Sequence, residues 1–191
     1  MLGLKCESNA EWIARVSANP AVLLPDHAHC EKKAALNAIG FINRYPEKME
    51  LVSEMSELAE EEITHFRMVV KLMTERDIPL TFDQGDPYAQ ALHSMIRKTE
   101  PEKLLDKLIV SSLIEARSCE RFSILSEHAS DEELRIFYKS LLASEARHRN
   151  TFLNLARLYY KDDIVTPRLD AYVEFEASIV SSLTSGPTIH G

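Results

Sequence analysis

Four glutamates and two histidines in this chain have the types and spacing to hold a pair of metal ions. Glu62-Ile63-Thr64-His65 and Glu145-Ala146-Arg147-His148 both read Glu-x-x-His, and each follows another glutamate by nearly the same interval: Glu31 precedes Glu62 by 31 residues and Glu115 precedes Glu145 by 30. Residues three apart on a helix share a face, so the glutamate and histidine of each motif can reach one ion. Carboxylate and imidazole together suit iron or manganese, whereas calcium prefers an all-oxygen shell. A single Glu-x-x-His carries little weight in a chain this rich in glutamate; two at matched positions carry more.

The elements that must position these groups are helices. The chain has 5 Gly, with none from Phe41 to Gln84 or from Asp86 to Ser185, too few for the turns of a β-rich domain. The 8 Pro, at 20, 25, 46, 79, 87, 101, 167 and 187, divide it into stretches of helical length. Ser130-Asp131-Glu132-Glu133 matches the S-x-x-E capping box, and Thr99-Glu100-Pro101-Glu102 resembles a similar start. The pattern predicts long helices at about 26–44, 47–76, 100–128 and 131–161. It predicts short ones near 8–18, 88–98 and 168–183, a linker at 77–87 and a frayed tail at 185–191.

Each long segment carries a stripe stepping by three and four. The stripes are Leu24, Ala28, Glu31, Ala35, Ala38, Ile42; Leu51, Met55, Leu58, Glu62, His65, Val69, Leu72; Leu105, Leu108, Ser112, Glu115, Cys119, Phe122; and Leu134, Tyr138, Leu141, Glu145, His148, Phe152, Leu155, Tyr159. Such seams predict an all-α, antiparallel four-helix bundle with short flanking helices. Every seam has a glutamate in its middle and none has a Lys or Arg to pair with it. Burying four unpaired carboxylates is costly, and protonating all four would need a large pKa shift on each. Two divalent cations match the four negative charges. Ala34, Ala35 and Ala38 around Glu31, and Ser111, Ser112, Ser118 and Cys119 around Glu115, leave room for ions and a substrate, or simply allow close helix packing. His27 and His29 are given no metal role, and His93, His128 and His190 have no evident partner in sequence.

Composition sets the remaining bounds. The 191 residues are 45% hydrophobic and 27% charged, with a formal net charge of -8, and they read as a single domain, 1–191. Cys6, Cys30 and Cys119 form no Cys-x-x-Cys, which argues against a zinc knuckle, a rubredoxin-type iron site or a disulfide framework and for free thiols. There is no apolar leader and no run near the roughly 18 apolar residues of a membrane span, so the expected location is the cytoplasm. The net charge opposes a polyanionic partner, but Arg135, Lys139, Arg147, Arg149, Arg157 and Lys161 enrich the last long helix in base, and Arg67, Lys71 and Arg76 do the same late in the second.

The six-residue set is that of the ferritin-like di-iron carboxylate proteins. The longer strings Asp26-His27-Ala28-His29-Cys30-Glu31-Lys32-Lys33-Ala34-Ala35, Glu61-Glu62-Ile63-Thr64-His65-Phe66 and Leu113-Ile114-Glu115-Ala116-Arg117-Ser118-Cys119-Glu120-Arg121-Phe122 resemble the MiaE family, bacterial hydroxylases of 2-methylthio-N6-isopentenyladenosine in tRNA. The resemblance covers nearly the whole chain. It implies a monooxygenase that uses O2 and two iron ions, with manganese the alternative metal, to hydroxylate the isopentenyl side chain beside the anticodon. Glu31, Glu62 and His65 would hold one ion and Glu115, Glu145 and His148 the other, with Glu62 or Glu145 the expected bridging carboxylate. It further implies an external reductase and a tRNA anticodon stem-loop as partners, with Arg67, Lys71, Arg147, Arg149 and Arg157 as candidate RNA contacts. Oligomeric state, monomer or small homo-oligomer, stays open.

Other readings of the same residues also stay open. A ferritin-like iron-oxidising protein would use the same ligands without a nucleic acid. A quinone hydroxylase would need a basic amphipathic helix for the membrane surface, and none is evident. A metal-free bundle would have to tolerate the buried carboxylates.

Overall fold

The computed structural model describes residues 3–182 and 186–190. Among these residues there are seven helices and no strand: α1 (Ala10–Ala18), α2 (Pro20–Arg44), α3 (Met49–Glu75), α4 (Pro87–Ser94), α5 (Glu102–His128), α6 (Glu132–Tyr159) and α7 (Asp162–Ser182). The four long helices stand where their stripes place them.

Two helix starts differ from expectation for one reason. α2 begins at Pro20 rather than 26, and α7 at Asp162 rather than 168. Pro25 and Pro167 stand sixth in their helices, where each forfeits a single hydrogen bond to the carbonyl four residues back. Pro20 is at the first helical position, where no N–H is needed. Proline therefore marked a second turn, not a boundary. α4 also stops earlier than expected, at Ser94.

The caps differ in detail as well. Asp131, not Ser130, caps α6: its carboxylate accepts from the Glu133 and Leu134 amides at 2.9 and 3.3 Å. At α5 the cap position is Pro101, and the Glu100 carboxylate accepts from the Leu104 amide at 3.2 Å. α3 closes in a Schellman turn, with the Ile78 amide on the Met73 carbonyl and the Asp77 amide on the Thr74 carbonyl. Asp77 holds the left-handed position, φ 53°, that glycine usually takes there.

The chain divides into two compact units. One comprises Ala18–Gln84 with Pro187–Ile189, and it contains α2 and α3 as an antiparallel hairpin. Its stripes are buried as expected, from Leu24, Ala28, Ala35 and Ala38 on α2 to Leu51, Met55, Leu58, Val69 and Leu72 on α3; only Ile42 is half-buried, and Phe41 beside it is fully buried instead. The other unit contains α4 to α7 and most of α1. Its center is α5, buried on nearly every face among α4, α6 and α7.

Charge is buried in this second unit outside the seams. Arg117 is fully buried and reaches Glu176 at 2.7 Å, Glu120 at 3.1 Å and the Cys6 carbonyl at 2.9 Å, while the Tyr88 hydroxyl donates to Glu176. Asp106, also fully buried, accepts from both Arg97 and Arg168. The Arg121 guanidinium lies 4.1 Å over the Trp12 ring.

The tail is not frayed where it is described. Ile189 is buried and its amide donates to Asp26 at 2.7 Å. His190 is also buried: Nδ1 lies 2.6 Å from Asp86 and Nε2 3.2 Å from Ser118, and the ring stacks on Tyr88. The rest of the expected tail, Ser185 and Gly191, and the expected end of the last helix at residue 183 fall outside the described residues.

Candidate metal centre

In the α2–α3 hairpin the seam glutamates and histidine come together. Glu31 on α2 and Glu62 and His65 on α3 are all buried, with ligand atoms within 4.8 Å of one another. His65 Nδ1 lies 3.3 Å from Glu62 Oε2 and 3.7 Å from Glu31 Oε2. His27, one turn before Glu31, is fully buried and places Nε2 2.5 Å from Glu31 Oε1. Burial alone would raise the Glu31 pKa, but the charge and hydrogen bond of His27, with hydrogen bonds from His65 and Glu62, hold it well below the usual carboxylate range. Burial alone would lower His65, but hydrogen bonds to Glu31 and Glu62 outweigh it and push it up to about 10. This is a site that keeps its carboxylate ionised and attracts positive charge.

The α5–α6 hairpin repeats the arrangement. Glu115 on α5 and Glu145 and His148 on α6 are buried, with ligand atoms again within 4.8 Å of one another. His148 Nδ1 lies 4.0 Å from Glu115 Oε2. The Ser112 hydroxyl, one turn before Glu115, donates to the Arg149 carbonyl at 3.1 Å and ties α5 to α6 beside the site. The Cys119 thiol faces the Leu142 carbonyl at 3.8 Å, and burial pushes its pKa up, as suits a packed thiol. None of the three cysteines is in a disulfide.

The donor chemistry fits metal ions. Each hairpin offers two carboxylates and an imidazole, a hard, anionic set suited to iron or manganese.

Two histidines do more than their sequence positions indicate. A helix beginning at 26 would put His27 in its first turn; because α2 starts at Pro20, it lies well inside, and its i, i+4 spacing to Glu31 is the signal the sequence offers. His29 is tied at both ring nitrogens: Nε2 donates to the Thr81 carbonyl at 2.7 Å and Nδ1 accepts from Lys32 Nζ at 2.9 Å, so it pins the loop after α3.

The candidate RNA contacts are distributed over both hairpins. Arg67 and Lys71 are exposed on α3, with Lys71 3.8 Å from Glu75. Arg147 and Arg157 are exposed on α6, with Arg157 3.5 Å from Asp162. Arg149 is half-buried and donates to the Asn150 side chain.

The model of one protein family, tRNA-(MS[2]IO[6]A)-hydroxylase (MiaE), matches residues 2–191. The chain belongs to the MiaE family. A MiaE relative from Pseudomonas putida, the tRNA 2-(methylsulfanyl)-N(6)-isopentenyladenosine(37) hydroxylase, is 45% identical over 156 residues, covering 82% of this chain and 76% of the relative. The hydroxylase of the same name from Salmonella typhimurium is 32% identical over 228 residues, covering 94% and 84%. Among solved structures, a Synechococcus protein described as having aldehyde deformylating oxygenase activity superposes with a TM-score of 0.94 at 36% identity, over 98% of this chain and 95% of that one. The fold is therefore that of the ferritin-like di-iron proteins, as the MiaE resemblance implied. No helix among the described residues is long and apolar enough to cross a membrane.

Proposed function

We infer that this chain is a tRNA hydroxylase acting on the isopentenyl side chain of 2-methylthio-N6-isopentenyladenosine next to the anticodon. Membership of the MiaE family over residues 2–191 carries this conclusion, and it does not favour the iron-handling alternative.

For the site, we propose that Glu31, Glu62 and His65 hold one iron ion and Glu115, Glu145 and His148 a second. Iron held there supplies the oxidising chemistry, by which O2, two electrons and two protons convert a C–H bond to C–OH with release of water. The electrons come from a separate reductase. The chain's own contribution is to keep the Glu31 carboxylate ionised, to fix His65 and His148 by i, i+3 spacing, and to exclude water by burying all six donors. The target base must leave its stack to reach a buried centre. Arg67, Lys71, Arg147, Arg149 and Arg157 are proposed as the pool from which RNA phosphate contacts are drawn, in a protein working in the cytoplasm.

The test is nucleoside mass spectrometry of tRNA from a strain lacking this gene. Loss of the hydroxylated nucleoside with accumulation of its precursor is expected; an unchanged profile would refute the assignment.

A further inference from the structure

We propose that the exposed face of α6 is the rail that binds the phosphate backbone of the RNA substrate. The assignment rests on the tRNA reading and names where the nucleic acid is gripped.

The face is read from the helix itself. Lys139, Ala143, Arg147, Asn150, Asn154 and Arg157 step by three and four along α6, and every one is exposed; Lys161, just past the helix end, continues the row and is exposed too. From Leu134 to Lys161 the only acidic residue is Glu145, which is buried. A stretch of 28 residues in a chain of net charge -8 therefore shows solvent only cationic, amide, hydroxyl and apolar groups. Lys139 and Lys161 have no ion-pair partner among the described residues, and Arg157 is shared only loosely, at 3.5 Å, with the exposed Asp162. From Lys139 to Arg157 the row spans about 27 Å at 1.5 Å per residue, enough to follow several phosphates.

The spacing of charge also favours a phosphodiester chain. Asn150 and Asn154 interleave with the cations and can donate to phosphate oxygens, so the row alternates charge with neutral hydrogen bonding. Arg147 lies two residues from Glu145, about 200° around the helix, so the row faces away from the metal donors. It would hold the stem and leave the extruded nucleotide to reach the centre.

By contrast, α3 is unsuited to this role. Besides Glu62 it carries Glu50, Glu54, Glu57, Glu60, Glu61 and Glu75 against Arg67 and Lys71. The helix is net negative as a whole and Lys71 is shared with Glu75 at 3.8 Å, which favours Arg147 and Arg157 among the candidate contacts.

The experiment compares the iron-loaded wild type with the triple variant Lys139→Gln/Arg157→Gln/Lys161→Gln in binding a fluorescent anticodon stem-loop across a salt series. A charge-matched control is Lys5→Gln/Arg15→Gln/Lys98→Gln, three exposed cations elsewhere. Losing three phosphate contacts should weaken binding about 10–100-fold near physiological salt and flatten the slope of log K against log salt by roughly 2–3, with iron content unchanged. The control should lose no more than about threefold, because screening weakens distant charges. If the wild type neither binds nor hydroxylates the stem-loop, the tRNA reading itself falls. If the wild type binds and the triple variant matches it in affinity and slope, or the control loses as much, the rail alone is overturned. Intact RNA binding with slowed reduction by an electron-donor protein would likewise overturn it and give the face to a protein partner.

Discussion

The two helical hairpins carry the same donors and differ in almost everything around them. α2–α3 offers Glu31, Glu62 and His65, and α5–α6 offers Glu115, Glu145 and His148, at near-identical spacing. Yet in the Ala18–Gln84 segment the buried charged and imidazole groups are only these donors with His27 and His29. The α5–α6 unit buries Asp106, Arg117, Arg121 and Glu176 as well, most of them locked in ion pairs. One hairpin is thus ionic only where it would meet a metal. The other has a second polar core that holds it together independently. Their exposed faces also differ, acidic on α3 and basic on α6.

The largest effects should come from the shared feature. Glu62→Ala and Glu145→Ala should each remove iron and depress turnover by at least the roughly 10–100-fold that even indirect disturbance of a metal site costs. Elemental analysis with single-turnover kinetics checks this, and full iron content in either variant would break the equivalence of the hairpins.

Arg117→Ala should destabilise the protein by about 3–5 kcal/mol, because it leaves Glu176 buried without its guanidinium. Urea denaturation of the whole chain measures it; a shift under about 1 kcal/mol would show that the second polar core is dispensable.

His27→Ala sharpens the contrast at the sites themselves. The residue four before Glu115 is Ser111, so only the first hairpin carries an imidazole one turn before its leading glutamate. Iron affinity of His27→Ala should drop roughly tenfold or more, while Ser111→Ala changes it little. Metal titration of the two variants decides it.

Chelation should act unequally. Amide exchange should quicken more in α2–α3 than in α5–α6, since a metal bound by Glu31, Glu62 and His65 would be the main counter-charge to the buried carboxylates of the first hairpin, which has no buried Arg or Lys. Equal protection loss in both would contradict the comparison.

The smallest effect concerns pH. Burial would raise the Asp106 pKa, but hydrogen bonds from Arg168 and Arg97 outweigh it and leave the pKa below the ordinary 3.8. A depressed folded-state pKa contributes stability that is present above the unfolded value and is lost as pH falls through the folded one. Stability should therefore fall below about pH 4, and Asp106→Asn should show a shallower decline there. Parallel acid-denaturation curves would remove Asp106 from the account.

Much of this was legible from residue order. The four stripes are buried along nearly their full length, because steps of three and four hold one face of a helix toward a core whatever lies opposite. The seam glutamates stood out for the same reason, as charges at positions that burial should forbid. Helix starts were less legible: Pro25 and Pro167 read as breaks, yet one lost hydrogen bond is small against the packing of α2 and α7.

Residue order alone determined the helical periodicity, the matched Glu and Glu-x-x-His sets and the stretch from Leu134 to Lys161 whose one acidic residue is Glu145, because each depends on spacings within a helix. Only the tertiary structure decided that Arg117 meets Glu176, 59 residues away, that His190 meets Asp86, 104 residues away, and that Ile189 docks on Asp26. Those pairings depend on how separate helices pack, and desolvation makes a buried polar group take whichever partner the packing brings within reach.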